Sequence, residues 1–157
     1  MGMRTETLAT RVDQAIEGLL AAVEASTLEQ WAAPCTDDGW TQAIAAFHAA
    51  TTIAEVRQTV KDVAEGKPFP QMTMEELDAK NAAQAKEHAG CTITETAGLI
   101  RSSASDAVSM VRSLSDAQLD RKVQLLDGMP EVSVEMLVQL ALVGHAMDHL
   151  QTLTGAR

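Results

Sequence analysis

A chain of 157 residues, 46% of them hydrophobic, is about one domain and can bury a substantial core, so residues 1–157 read as one unit. Aromatic residues are only 3%, tyrosine is absent, and alanine, leucine and methionine dominate the apolar set, which favours helix over sheet. The balance of 12 Lys and Arg against 22 Asp and Glu leaves a net charge of −10, which argues against a nucleic-acid surface and an anionic membrane and points to small molecules or another protein as partners.

From about Met3 to Ser26, Leu8, Val12, Ala15, Ile16, Leu19, Leu20 and Val23 recur at steps of three and four, the mark of an amphipathic helix. Thr27 to Trp40 has loop composition, with Pro34, Cys35, Asp37, Asp38 and Gly39, and it holds both tryptophans, Trp31 and Trp40, as plugs for one end of a helix bundle. Thr41 is a plausible N-cap for a second helix to about Glu65, with Ile44, Phe47, Ile53, Val56, Val60 and Val63 along its apolar stripe. Pro68 and Pro70 prevent its continuation.

Thr73 and Glu76 form a capping box for a polar, alanine-rich helix to about Ala89, whose thin apolar face predicts an outer position or a subunit contact. Thr92 and Glu95 repeat the signature, and a third long helix runs to about Leu114. Ser115 to Gln118 caps one short turn, and Asp127-Gly128-Met129-Pro130 reads as a loop. Ser133 then starts one uninterrupted helix to about Thr154, apolar around much of its circumference and therefore central. The sum is an all-α four-helix bundle with an extra helix in its long second connection and no convincing strand.

Two cysteines, Cys35 and Cys91, make no CxxC pair and suggest no disulfide framework. The polar start of the chain is not a signal peptide, and no apolar run approaches the ~18 residues of a membrane span. The expectation is a reduced, cytoplasmic protein.

The chemistry concentrates on histidine. His145 and His149 are four apart on the last helix, so they sit about 40° apart around its axis and about 6 Å apart along it. Both imidazoles can reach one point, which is a metal-ligand spacing, although surface or core histidines share it. Burying two polar rings on so apolar a helix without a partner is costly. His48, on the largely apolar second helix, is a candidate third ligand. Three nitrogen donors in a bundle core leave an open coordination position, as catalytic sites do.

Other residues read more plainly. His88 is a surface histidine, and Cys35, with nothing basic beside it, is an inert or buried thiol. Asp148 stands at the site rim, orients a ligand, or is a solvated acid. Glu55 is a surface charge or a polar wall of the same cleft. Thr51 and Thr52 are weak candidates for supporting His48.

Gly39-Trp40-Thr41, then His48, then His145-x-x-x-His149 near the C-terminus resemble the DinB-like superfamily, with its mycothiol-dependent maleylpyruvate isomerase and bacillithiol transferase members. The resemblance covers nearly the whole chain. It implies an up-down-down-up bundle with a divalent metal, zinc or nickel, on His48, His145 and His149. It further implies an enzyme of the thiol S-transferase type, in which the metal activates a low-molecular-weight thiol such as mycothiol or bacillithiol, or water, against a small-molecule substrate. Homodimers are frequent in the family. Relatives often carry another histidine before the last ligand, followed by Arg-Gly-Gln, where this chain reads Asp148-His149-Leu150-Gln151-Thr152. The alternatives are a metal-dependent hydrolase on the same site and a non-catalytic ligand-binding or stress-response bundle.

Overall fold

The computed structural model describes residues 2–36 and 39–155; Asp37 and Asp38 of the first loop lie outside the described residues. Helix α1 (Met3–Glu24) shows how the bundle is made. Leu8, Val12, Ile16, Leu19 and Val23 fall on one face and are each no more than 2% exposed. Full burial of a side chain of this size stabilises by about 1.5–3 kcal/mol. Helices α3 (Gln42–Ala64) and α5 (Ile93–Arg112) bury matching stripes, Ala46, Ala50, Ile53 and Val60 in the first and Ile100, Ala107 and Val111 in the second.

The fourth member is a C-terminal rod made of α7 (Val134–Val138), a wide π-helical segment (Gln139–Gly144) and α8 (His145–Gly155). Helices α1 and α3 each pack against both α5 and this rod, so α1 lies diagonally across from α3. This is the four-helix bundle that the sequence predicts, in the up-down-down-up order that the family resemblance implies. In that topology α3 and α5 run the same way, so the chain must travel back along the bundle between them. The outer helix α4 (Met74–Glu87) occupies that return and buries no residue fully.

The N-caps follow the sequence signals. Thr41, Thr73, Thr92, Ser115 and Ser133 each accept a backbone N–H from three residues further on. Reciprocal capping boxes form at Thr73/Glu76, Thr92/Glu95 and, ahead of α6 (Asp116–Leu119), at Ser115/Gln118.

Three expectations are corrected. Part of the stretch read as a loop is a short helix, α2 (Leu28–Ala32), started by a Thr27/Gln30 capping box. A two-residue antiparallel hairpin exists where no strand was expected: β1 (Lys122–Val123) pairs with β2 (Val132–Ser133), too short to show alternation in sequence. The last helix is neither uninterrupted nor buried all round. Its π segment breaks the α pattern, and Met136, Leu140 and Met147 are 45%, 59% and 55% exposed. Among the described residues, no helix is long and apolar enough to cross a membrane.

Candidate metal centre

Two elements bring three imidazoles together. Helix α3 supplies His48, and α8 supplies His145 and His149 from its first two turns. The π segment immediately before His145 decides where those two rings point. Seven residues beyond the buried Val138, an unbroken α-helix would return His145 to within about 20° of that residue's direction, deep in the core. One extra residue in a wide turn offsets the register by roughly 100°. Leu142, Val143 and Ala146 then take the core positions, and the histidines face α3. Gly144 closes the wide turn, where an added Cβ would stand 3.3 Å from the Gln139 carbonyl oxygen.

The rings meet edge to face. Centroids are 4.4 Å apart for His145 and His149, 5.2 Å for His48 and His145, and 5.4 Å for His48 and His149. The Nε2 atoms of His145 and His149 are 3.1 Å apart, so the N–H of one donates to the bare nitrogen of the other. Each of the three histidines offers a nitrogen, and all three atoms lie within 4.8 Å of one another. Among the described residues, no other group of three His, Cys, Asp or Glu side chains could hold a metal.

The electrostatics keep the pair neutral. Burial, reinforced by His48, pushes His145 down to about 4 against a weaker upward pull from Asp148. Burial, then His145 and His48, push His149 down to about 3. Near neutral pH both rings are therefore neutral imidazoles with one proton each, and moving the shared proton from Nε2 to Nδ1 leaves both facing Nε2 atoms free to bind a cation. Gln84 of α4 places its Oε1 3.2 Å from Nδ1 of His48. A carbonyl oxygen only accepts, so Nδ1 carries the proton and Nε2 is left bare. Trp40 also packs against that ring in a T-shaped arrangement, with centroids 5.4 Å apart.

These residues fit a divalent cation. Two metal–nitrogen bonds of about 2.0–2.1 Å at a tetrahedral angle hold their nitrogens about 3.3 Å apart, close to the 3.1 Å between His145 and His149. Nδ1 of His149 is buried without a hydrogen-bond partner. A fold that needed only packing would place an apolar residue there, because an unsatisfied buried polar group costs about 1–3 kcal/mol.

A cavity of about 330 Å³ opens beside the triad, with His48 and His145 in its wall. Glu55 lines it and forms a 2.9 Å ion pair with Lys80, so it is both cleft wall and solvated charge. Thr52 lines it too, while its hydroxyl donates to the His48 carbonyl at 2.8 Å. Thr51 donates to the same carbonyl. Asp148 is exposed and reaches the site only through its field on His145. Cys35 does not line the cavity; its backbone N–H donates to the Trp40 carbonyl at 2.7 Å. His88 is not a plain surface residue, because it stacks on Phe47 with centroids 4.2 Å apart. Trp31 does act as an end plug: it is buried, and its indole N–H donates to the Cys91 carbonyl.

Sequence reasoning missed Gln84 as a partner of His48, and the cavity floor at Leu125 and Leu126. Both contacts join segments distant in sequence, and no local pattern marks them.

Fold and site together define an all-α bundle with a half-buried histidine triad facing a cavity. The family model of the mycothiol maleylpyruvate isomerase N-terminal domain matches residues 12–149. The chain belongs to this DinB-like family. Two solved structures share the fold. YfiT from Bacillus subtilis, described as a probable metal-dependent hydrolase with an unusual four-helix bundle topology, superposes with a TM-score of 0.80 at 20% identity, covering 99% of this chain and 87% of that one. An uncharacterized protein from Clostridium difficile 630 gives a TM-score of 0.77 at 13% identity over 99% of this chain and 96% of that one. No curated protein sequence matches the chain.

Proposed function

We propose that the chain is a divalent-metal-dependent enzyme of the thiol S-transferase type, with zinc or nickel on His48, His145 and His149. The observation that carries this reading is the meeting of three imidazole nitrogens within 4.8 Å beside a cavity. When bound, the cation supplies Lewis acidity, which favours the deprotonated form of a thiol or water at its open side. The protein's own part is positioning. His145 and His149 are uncharged at neutral pH because burial disfavours the imidazolium, so each ring keeps one nitrogen lone pair to offer. Gln84 holds His48 in the tautomer with a bare Nε2. Apolar walls limit water at the reacting end and strengthen every charge interaction there. A low-molecular-weight thiol such as mycothiol or bacillithiol is the cosubstrate in this reading.

Purified protein analysed by plasma mass spectrometry is expected to hold near-stoichiometric zinc or nickel, and His149→Ala to lose it. Full retention of metal in that variant removes the site. Loss of a test electrophile should require both added thiol and metal. Hydrolysis is the second reading, suggested by the description of YfiT, with water in place of the thiol. Metal-dependent turnover of an ester or amide without any thiol selects it.

A further inference from the structure

The cavity beside the triad is chemically lopsided. At one end stand His48 and His145, and at the solvent side stands the half-exposed ion pair of Lys80 and Glu55. Between them the wall is mostly apolar, interrupted by Asn81 of α4: Val56 comes from α3, Phe69 and Met72 from the connection, Leu77 from α4, Leu126 from the hairpin loop and Ala141 from the π segment. The threonines do not alter this. Thr52 and Thr59 spend their hydroxyl protons on carbonyls of their own helix, at 2.8 and 3.1 Å, and so offer no donor to a ligand. The floor is fixed, because Met72 donates its N–H to the Leu125 carbonyl and accepts from the Asp127 N–H at 3.0 Å. The volume of about 330 Å³ falls within the range of small-molecule pockets. It is roughly twice that of a cavity that takes benzene, so it suits a bicyclic aryl group or an alkyl chain of about eight to ten carbons.

We infer that this cavity binds the substrate of the enzyme: a small molecule with an aryl or medium-chain alkyl body along the Met72–Leu126–Ala141 wall and its polar reacting group at the histidines. The assignment of the histidine end as the reacting end rests on the function proposed above. The apolar body of the ligand does not.

The two are tested apart. Metal-free protein is titrated with N-phenyl-1-naphthylamine, a neutral dye that fluoresces in apolar surroundings. The expected result is saturable one-to-one binding, displaced by 1-octanol at far lower concentration than by ethanol. Leu126→Gln and Ala141→Phe each weaken it about tenfold, with circular dichroism confirming the fold. Leu126 lies in a loop, so its variant keeps the test intact should Ala141→Phe fail to fold. No saturable binding, or wild-type affinity in the folded variants, overturns the inference. Cobalt(II) bound at the triad should then quench the dye, and His149→Ala should abolish quenching while the dye still binds saturably. Cobalt held without quenching also overturns it. Dye binding in a protein that holds no metal at the triad would instead refute the metal reading and leave the apolar site standing.

Discussion

Helix α1 and the C-terminal rod are built to similar length, and both span the bundle, but they are made differently. Helix α1 runs unbroken, and its buried face is apolar apart from Thr5. Its charges stay outside, where Glu24 pairs with Arg101, Glu6 with Arg112, and Arg4 with Glu135 and Asp120. The rod changes helix type midway, turns Met136, Leu140 and Met147 to solvent, and holds two neutral imidazoles inside, one with an unpartnered nitrogen. Local preference, packing and polar satisfaction agree along α1 and conflict along the rod. Conflicts of that kind gather at functional sites. Stability is therefore concentrated in α1 and its partners, and the rod accepts a poorer local structure in order to aim its histidines.

The largest test of this contrast is a core truncation in α1. Leu19 is fully buried, so Leu19→Ala should cost about 2–5 kcal/mol in urea unfolding, while the fraction that stays folded binds metal normally. Equal loss of metal affinity in folded Leu19→Ala would mean that the two regions are not separable. Next in size is the pH response of metal-free protein. His145 at about 4 and His149 at about 3 lie below the ordinary 6.5, so the unfolded chain takes up protons that the folded chain refuses. Stability is then full above pH 6.5 and falls as the pH drops, until the folded values are reached. Between pH 7 and 5 the loss should be on the order of 2–4 kcal/mol for the two together. The double variant His145→Gln/His149→Gln should flatten this slope. An unchanged slope in that variant would show that the histidines do not govern it.

The sequence exposed α1 almost completely because burial, propensity and periodicity coincide there. The same holds for the caps at Thr73, Thr92 and Ser115, whose partners lie three residues away. His48, His145 and His149 were legible as a set through their placement on apolar helices and their family spacing. The register shift at Gln139–Gly144 was not, since no residue type encodes a π turn and Gly144 reads as an ordinary helical glycine. Gln84 was invisible as a site residue because α4 reaches α3 only through tertiary packing. The Thr27/Gln30 box was available and was outweighed by the loop-like residues that follow it.

Gln84 sharpens the comparison from outside the bundle. Gln84→Ala removes the acceptor that holds Nδ1–H of His48, so the ring can exchange tautomers and present the wrong nitrogen. Metal affinity should fall about ten- to a hundredfold. Stability should change by only about 0.5–1.5 kcal/mol, the net worth of one hydrogen bond. Nitrogen-15 NMR of the metal-free protein distinguishes this from simple loosening. His48 should show one Nδ1–H tautomer in the parent and a mixture in the variant; a single unchanged tautomer would show that Gln84 does not set it.

The smallest effect belongs to α4 itself. The helix buries no residue fully and is held by Gln84, by the stacking of His88 on Phe47, and by the Lys80–Glu55 pair. That ion pair is half exposed on both sides, so Lys80→Ala should cost no more than about 1 kcal/mol, and less at high salt. Amide exchange follows the free energy of local opening, so α4 should exchange faster than α1, and Lys80→Ala should speed α4 further while leaving α1 unchanged. Protection of α4 equal to that of α1 would place this helix in the rigid half of the molecule. The outer wall of the cavity, where Leu77 and Lys80 stand, would then be as fixed as the core and not its most easily opened side.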